Sequence, residues 1–176
     1  MQYVILGLLL SGPLSLYDLR KRFAAGISLF YSASLGSLQR ALQNLAADGL
    51  VIGIEVAGDR RGKKLYSVTD TGMQRWREWL AAPIPPGTEA ETVILARVFL
   101  LGGLADARER AATLDVIRAS VQDSIGALRR LATELDAVPV PNDDPRSDYP
   151  RATLDYGLRA HELLLSWIDE LRAAEG

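Results

Sequence analysis

The sequence lacks cysteine altogether and has a single histidine among its 176 residues. Without thiols, the chain has no disulfides, no cysteine nucleophile and no sulfur-ligated zinc site, and one imidazole is too few for a histidine-rich metal centre or proton relay. No acid–base pair or nucleophile arrangement stands at a usable spacing. We therefore expect a protein that is not an enzyme, with no catalytic residues, no metal and no cofactor.

Long hydrophobic runs are also missing. A membrane-spanning helix needs about 18 consecutive apolar residues, whereas the longest N-terminal run extends only from Val4 to Leu10. That run has no basic leader before it and no small-residue cleavage site after it, which argues against a secretion signal. We predict a buried first helix, no contact with a membrane and a cytoplasmic location.

The formal net charge of −2 hides an asymmetry between the two halves. Residues 1–82 carry ten Lys and Arg against six Asp and Glu, whereas residues 83–176 carry ten against sixteen. Residues 83–87 contain three prolines and a glycine, which interrupt helices. We predict domains at 1–82 and 88–176 joined by a linker at 83–87, and we expect only the basic first domain to meet a polyanion.

Three helices are predicted in the first domain from apolar spacing and glycine stops. Residues 3–10 are nearly all apolar, and a second helix runs from Ser15 to Gly26. A third helix covers residues 34–48, because leucines recur there at steps of three and four. These leucines, which the spacing places on the core face, are Leu35, Leu38, Leu42 and Leu45.

The opposite face of the third helix is free of acidic residues until Asp48. This face begins with small residues, and residues with amide and guanidinium side chains follow. Amide and guanidinium groups pair with base edges and phosphates. The residues of this face are Gly36, Ser37, Arg40, Gln43 and Asn44. The pattern fits a surface that reads DNA, and it also fits an uncharged interface with another helix.

A hairpin with a basic tip follows the third helix. Strand-forming residues at 50–56 and 64–68 flank a glycine-rich turn. The segment 58–64 holds the densest basic cluster of the chain, namely Arg60, Arg61, Lys63 and Lys64. It lacks the spacing of a nucleotide-binding phosphate loop. A nucleic-acid phosphate is the natural partner, and a basic tip kept for solubility and edge protection is the alternative.

Together these elements and a closing helix from Thr69 to Pro83 predict a winged helix-turn-helix. Within it, a series of short motifs resembles, in order and spacing, the landmarks of the PadR family of bacterial transcriptional regulators. The motifs are Ile5-Leu6-Gly7-Leu8-Leu9, Gly12-Pro13-Leu14, Tyr17-Asp18-Leu19, Gly36-Ser37-Leu38, Ala41-Leu42, Leu45, Asp48-Gly49-Leu50 and Tyr66-Ser67-Val68-Thr69-Asp70-Thr71-Gly72.

The resemblance implies a set of DNA-contacting residues. The residues that would contact the DNA groove are Tyr17, Ser34, Ser37, Gln39 and Arg40. The residues that would contact phosphates from the wing are Arg60, Arg61, Lys63 and Lys64. Further candidates are Gln43 and Asn44. The chain departs from the family pattern at Leu16, where glycine is frequent, and at Gln39, where a DNA-facing tyrosine is usual. Glutamine still donates and accepts hydrogen bonds, so the departure concerns which DNA atom is contacted.

The second domain is predicted to be all-helical. Residues 88–101 are too apolar for an ordinary surface helix and need cover on more than one side. Residues 106–138 carry a coiled-coil-like seam on a helix about 50 Å long, which we expect a second chain to share. A proline-rich linker at 139–150 and a last helix at 151–175 complete a layout that resembles the helical C-terminal domain of the longer PadR members.

Two residues of the last helix are candidates for effector binding or for an interface. His161 is interpreted as a hydrogen-bonded interface histidine, with ligand binding or pH sensing as the alternative. Trp167 is interpreted as core packing, with an effector cavity at the dimer interface as the alternative.

The sequence thus predicts a mainly α protein, with an N-terminal winged helix-turn-helix, a two-stranded wing and an all-helical C-terminal dimerisation domain. We expect a homodimeric transcriptional regulator, a repressor as in most of the family, that reads a pseudo-palindromic duplex operator through helix 34–48 and wing 58–64. A small-molecule effector would act by favouring one separation of the wings. The alternative is a winged-helix protein-interaction module without autonomous DNA binding.

Overall fold

The computed structural model describes residues 1–56, 63–137 and 145–175. It confirms a mainly α fold in which a two-stranded antiparallel sheet accompanies the helices. The chain forms two compact units, one of residues 1–82 and 89–106, the other of residues 83–88 and 107–176.

The first unit is a winged helix-turn-helix extended by one further helix. Its elements in chain order are α1 (Gln2–Leu9), α2 (Leu16–Ala24), a 3-10 turn (Ile27–Leu29), α3 (Leu35–Ala47), β1 (Val51–Glu55), β2 (Lys64–Val68), α4 (Asp70–Ala81), α5 (Ala90–Leu100) and a second 3-10 turn (Leu101–Gly103).

Hydroxyl side chains begin three of these helices. The Oγ atoms of Ser15 and Ser34 accept hydrogen bonds from the third backbone N–H of α2 and α3, and Thr69 Oγ1 does the same for α4. At α2 the Asp18 carboxylate also accepts a bond from the backbone N–H of Ser15, which completes a capping box. Each cap supplies a partner to a backbone group that the helix itself leaves unpaired.

The wing is a hairpin anchored to the connection between α1 and α2. Its register pairs Val51 with Val68 and Glu55 with Lys64. On its other edge β2 exchanges two backbone hydrogen bonds between Tyr66 and Leu14, with N–O distances of 2.9 and 3.0 Å. The base of the wing is therefore fixed to the body of the unit.

The core of the first unit is built from leucine and isoleucine side chains around Trp76. Ile5 and Leu6 of α1, Leu38 and Leu42 of α3 and Trp76 of α4 are all buried. A Cβ at Gly7 would lie 2.8 Å from both Leu100 and Trp76 side-chain atoms, so the glycine permits α1 to approach α4 and α5. Burial of these side chains is the main stabilising term of the unit.

The observed units differ from the predicted domain limits in the placement of α5. The prediction put residues 88–176 in one C-terminal domain, whereas residues 89–106 belong to the first unit. The reason is the apolar character of α5 on several sides: Ile94, Ala96 and Leu100 are buried, and Leu100 lies against α1. A helix that needs cover on more than one side finds it on α1 and α4.

The second unit is dominated by two long helices, α6 (Ala107–Asp136) and α7 (Pro145–Ala173). They run antiparallel, because ion pairs join the start of α6 to the end of α7 and the end of α6 to the start of α7. The pairs are Arg110–Glu175, Asp115–Arg172, Arg118–Asp169, Arg129–Glu162 and Asp136–Arg151, with N–O distances from 2.7 to 3.3 Å.

This pairing shows that the length of α6 does not by itself require the second chain expected from the sequence. The apolar seam of α6 is buried at Leu114, Val121 and Ile125, and α7 of the same chain packs along it. The part of the predicted linker at 139–150 that the structure describes is helical, because α7 begins at Pro145, and residues 139–144 lie outside the described residues. Proline is well suited to the first turn of a helix, where its missing N–H has no partner to lose.

The outward side of α7 carries large apolar residues at intervals of seven. Tyr149, Tyr156 and Leu163 are 74%, 73% and 73% exposed. A spacing of seven places side chains on one stripe of a helix. We call these three residues the α7 stripe.

In the described ranges, no helix is both long and apolar enough to cross a lipid bilayer.

Candidate nucleic-acid interface

The polar face of α3 lies on the surface of the first unit. Gln39, Arg40, Gln43 and Asn44 are all exposed, whereas Leu38, Ala41, Leu42 and Leu45 on the other side are buried. No acidic residue lies between Ser34 and Ala47. This face therefore offers amide and guanidinium groups to solvent without a competing carboxylate on the same helix.

Leu35 is an exception to the predicted leucine core. It is 44% exposed, whereas Leu38 and Leu42 are at most 1% exposed. As the first residue of α3 it lies one turn before Gln39, at the edge of the polar face. The prediction that Leu35 belongs to the core is wrong, because the helix begins there and the body of the unit does not reach its first turn.

Ser34 and Ser37 are engaged with each other at the start of α3. Ser34 Oγ accepts a hydrogen bond from the Ser37 backbone N–H at 3.1 Å, and Ser37 Oγ donates to the Ser34 carbonyl at 2.8 Å. Both residues were predicted at a DNA groove. Their hydroxyl groups already stabilise the helix, so they have fewer free hydrogen-bonding positions than Gln39 or Arg40.

The start of α2 lies beside the base of the wing. Tyr17 is exposed there, next to Asp18. Hydrogen bonds from the side chain and backbone of Ser15 lower the pKa of Asp18, and the nearby positive charge of Lys63 lowers it further. The backbone bonds between Leu14 and Tyr66 place the residues just before α2 against β2 of the wing.

The basic wing cluster is only partly within the described residues. Arg60 and Arg61 lie outside them, and Lys63 and Lys64 are exposed. Lys64 Nζ lies 3.3 Å from Glu55 Oε1 across the hairpin. The partner carboxylate of Lys64 was not foreseen, although the strand register that pairs positions 55 and 64 could have revealed it.

His161 and Trp167 lie on α7 and are both half-buried. His161 Nδ1 is 2.8 Å from the Gly157 carbonyl oxygen, so Nδ1 carries the proton and donates to it. His161 also lines a groove of about 500 Å³ together with Ile84, Ser120 and Arg130. Trp167 is not among the described residues that line this groove. Of the two candidates for effector binding, His161 lines this groove and Trp167 does not touch it within the part of the chain that the structure describes.

Comparison with known protein families finds a match within the first unit. Residues 5–78 match the Transcriptional regulator PadR-like family. Over this stretch, which is less than half of the chain, the sequence is similar to PadR-like regulators. The family matched at these residues consists of transcriptional regulators.

Individual PadR-like proteins resemble the chain over different lengths. The negative transcriptional regulator PadR of Bacillus subtilis is 33% identical over 99 residues, which cover 54% of this chain and 54% of that protein, about half of its length. A probable transcriptional regulator of Mycobacterium tuberculosis is 25% identical over 167 residues, covering 90% of this chain and 88% of the relative.

A solved structure of Bacillus subtilis PadR in complex with operator DNA is 24% identical, with a TM-score of 0.46 and coverage of 99% of this chain and 98% of that chain. The family match at residues 5–78 covers most of the winged helix-turn-helix, which is the part of the sequence that carried the motif resemblance.

Proposed function

We propose that this PadR-like chain is a homodimeric regulator that binds duplex DNA through α3 and the basic wing, and that it acts as a repressor. The observation that carries the proposal is the exposed, acid-free face of α3, with Gln39, Arg40, Gln43 and Asn44 side by side. In winged-helix proteins, residues near the start of such a helix contact base edges in the major groove. The negative role follows the name of the Bacillus subtilis relative.

Within this interface, side chains divide by what they can recognise. Gln39 and Arg40 are placed to contact base edges, because glutamine pairs bidentately with adenine and arginine with guanine. Tyr17, Lys63 and the wing cluster at 58–64 are placed to contact phosphates, which position the protein without reading sequence. A regulator of this kind works where the chromosome is, so we propose a cytoplasmic location.

The α7 stripe supports the homodimer. Three large apolar side chains exposed at heptad spacing are a poor surface to leave in water and a good one to pair with a second copy. A two-fold dimer would present two α3 helices to half-sites about 34 Å apart on the duplex. The proposed operator is therefore a pseudo-palindrome, and the groove beside His161 is the candidate site for a small-molecule effector.

A titration against DNA tests the proposal. The purified protein is titrated with the duplex upstream of its own gene and with a scrambled duplex of the same composition, at several salt concentrations. The regulator should prefer the first duplex, and its affinity should fall steeply with salt as counterions are released. Arg40→Ala should weaken binding about tenfold. Equal, negligible binding to both duplexes would instead favour a protein-interaction module.

Arg75→Ala is the matched control for that experiment. Arg75 is exposed on α4 and pairs with Glu78 at 3.3 Å, so this change removes the same charge from the same unit without touching α3 or the wing. Its effect on affinity should stay below about twofold. A loss equal to that of Arg40→Ala would indicate a general charge effect and contradict the assignment of α3.

Removal of the Glu55 carboxylate should strengthen DNA binding. Glu55→Gln leaves Lys64 Nζ without its partner at 3.3 Å and takes a negative charge out of the wing. We expect about threefold tighter binding to the scrambled duplex near 0.1 M salt and a steeper salt dependence, as for one added phosphate contact. Glu78→Gln on α4 should leave the affinity and its salt dependence unchanged. Unaltered binding by Glu55→Gln would place the wing strands away from the duplex.

Charge on the α7 stripe should separate the subunits. Tyr156→Glu with Leu163→Glu would place two carboxylates in the proposed contact, where their desolvation is unfavourable. We expect a monomer by sedimentation equilibrium at concentrations where the unaltered chain is a dimer. Leu29→Glu, at a leucine that is 89% exposed in the first unit, should leave the dimer intact. A dimer that survives the double change would exclude the stripe as the contact.

A further inference from the structure

An apolar side chain stands at the start of the proposed DNA-reading helix. Leu35 is the first residue of α3 and is 44% exposed. Its neighbours on the surface side of that helix, Gly36, Gln39 and Arg40, are also exposed. Exposed leucines are common and carry little information alone. The informative feature is its position beside the side chains proposed to contact bases.

We propose that Leu35 recognises the 5-methyl group of a thymine in the major groove and is a specificity-determining residue of this regulator. The inference rests on the proposed function. Among the four bases, only thymine presents a methyl group in that groove, and apolar side chains contact it. Leucine has no hydrogen-bonding group, so that methyl is the one major-groove feature it can distinguish.

The neighbouring residues fit this assignment. Gln39 lies one helical turn after Leu35 on the same edge of α3, and a glutamine amide pairs with adenine N6 and N7. Glycine at position 36 has no side chain, and a Cβ there would meet only Ser34 Oγ, at 4.0 Å. The first turn of α3 therefore has room to approach the groove with Leu35 foremost. Leu35 and Gln39 together would favour an A·T-rich half-site.

Thymine-to-uracil replacement isolates the methyl group. The unaltered protein is first used to enrich binding duplexes from a random-sequence library. In one enriched duplex each thymine is then replaced singly by uracil, which removes the methyl and keeps every hydrogen-bonding group. One thymine in each half-site should show about fourfold weaker binding, the value for burying one methyl group. Leu35→Ala should bind the thymine and uracil duplexes equally.

Leu29→Ala is the matched control. Leu29 is 89% exposed but lies in the turn between α2 and α3, so the altered protein should keep the thymine preference. If Leu29→Ala removes that preference, or if the unaltered protein binds every uracil duplex as well as its thymine counterpart, the assignment of Leu35 is wrong while DNA binding stands. Failure to enrich any duplex would overturn the proposed function itself, together with this inference.

Discussion

Replacing Gly72 by alanine is expected to lower the free energy of unfolding by about 3 kcal/mol or more. Gly72 is the third residue of α4, and its N–H donates to Thr69 Oγ1 at 3.0 Å. A Cβ at this position would lie 2.1 Å from the Leu50 carbonyl oxygen. That oxygen is main chain and accepts a hydrogen bond from the Thr69 N–H at 3.1 Å, so it cannot move aside without breaking the contact between β1 and α4.

Denaturant or thermal unfolding measures this effect, and Gly36→Ala supplies a control of opposite sign. Gly36 lies in α3, where a Cβ would meet nothing closer than 4.0 Å, so alanine should stabilise by about 1 kcal/mol through helix propensity. Alanine has the same higher helix propensity at Gly72, but the steric overlap there destabilises by more. The expected loss of stability is the difference between these two effects. An unchanged unfolding midpoint for Gly72→Ala would contradict the close approach of α4 to Leu50.

Arg97→Leu should destabilise the first unit by about 2 kcal/mol, since it leaves two carbonyl groups without their donor. Arg97 is 1% exposed. Its Nη1 donates to the carbonyls of Leu80 and Ala82 at 3.0 and 2.7 Å, at the end of α4, and the guanidinium lies 5.2 Å from the centre of the Trp79 ring. Burial lowers the pKa of Arg97 to about 10, so the group remains a cation at neutral pH.

Two opposing terms set the size of that loss. Leucine avoids the cost of burying a cation whose Nε has no hydrogen-bond partner among the described residues. It also removes both carbonyl contacts and the stacking on Trp79, each worth about 1 kcal/mol or more. Arg97→Lys should lose less stability than Arg97→Leu, because an ammonium can still donate to one carbonyl. Arg75→Ala, at an exposed pair, should change stability by less than about 0.5 kcal/mol.

A gain in stability for Arg97→Leu would show that burying the cation costs more than its two hydrogen bonds return. Chemical unfolding at fixed salt and pH measures all three variants on one scale.

Features that depend on neighbouring residues were predictable from the sequence, whereas features that depend on tertiary contacts were not. The helix starts at Ser15, Ser34 and Thr69, the leucine spacing of α3 and the position of the hairpin follow from short-range rules, and residue patterns were enough to predict those elements. The role of Arg97 was not predicted, because its carbonyl partners lie 15 and 17 positions away. The available signal for a buried role of Arg97 was its position as a single cation within the apolar run of α5.

Leu35 and α5 were misplaced for a related reason. Helical spacing gives the direction of a side chain, but not whether the rest of the protein extends far enough to cover it. Leu35 has the right spacing for the core and lies beyond its end, while α5 follows a proline-rich break and still packs on α1. The predicted DNA-contacting residues came chiefly from the motif resemblance, because their identities alone also fitted a helix interface.

The antiparallel arrangement of α6 and α7 has a consequence for assembly. Because each chain covers the seam of its own long helix, a newly made subunit can finish folding before it meets another copy. In the proposed homodimer, pairing of two such subunits would be a reversible docking of preformed surfaces, with a rate that depends on the square of the protein concentration. Subunits of that dimer would exchange without unfolding, so the occupancy of the two proposed half-sites would respond directly to the protein concentration.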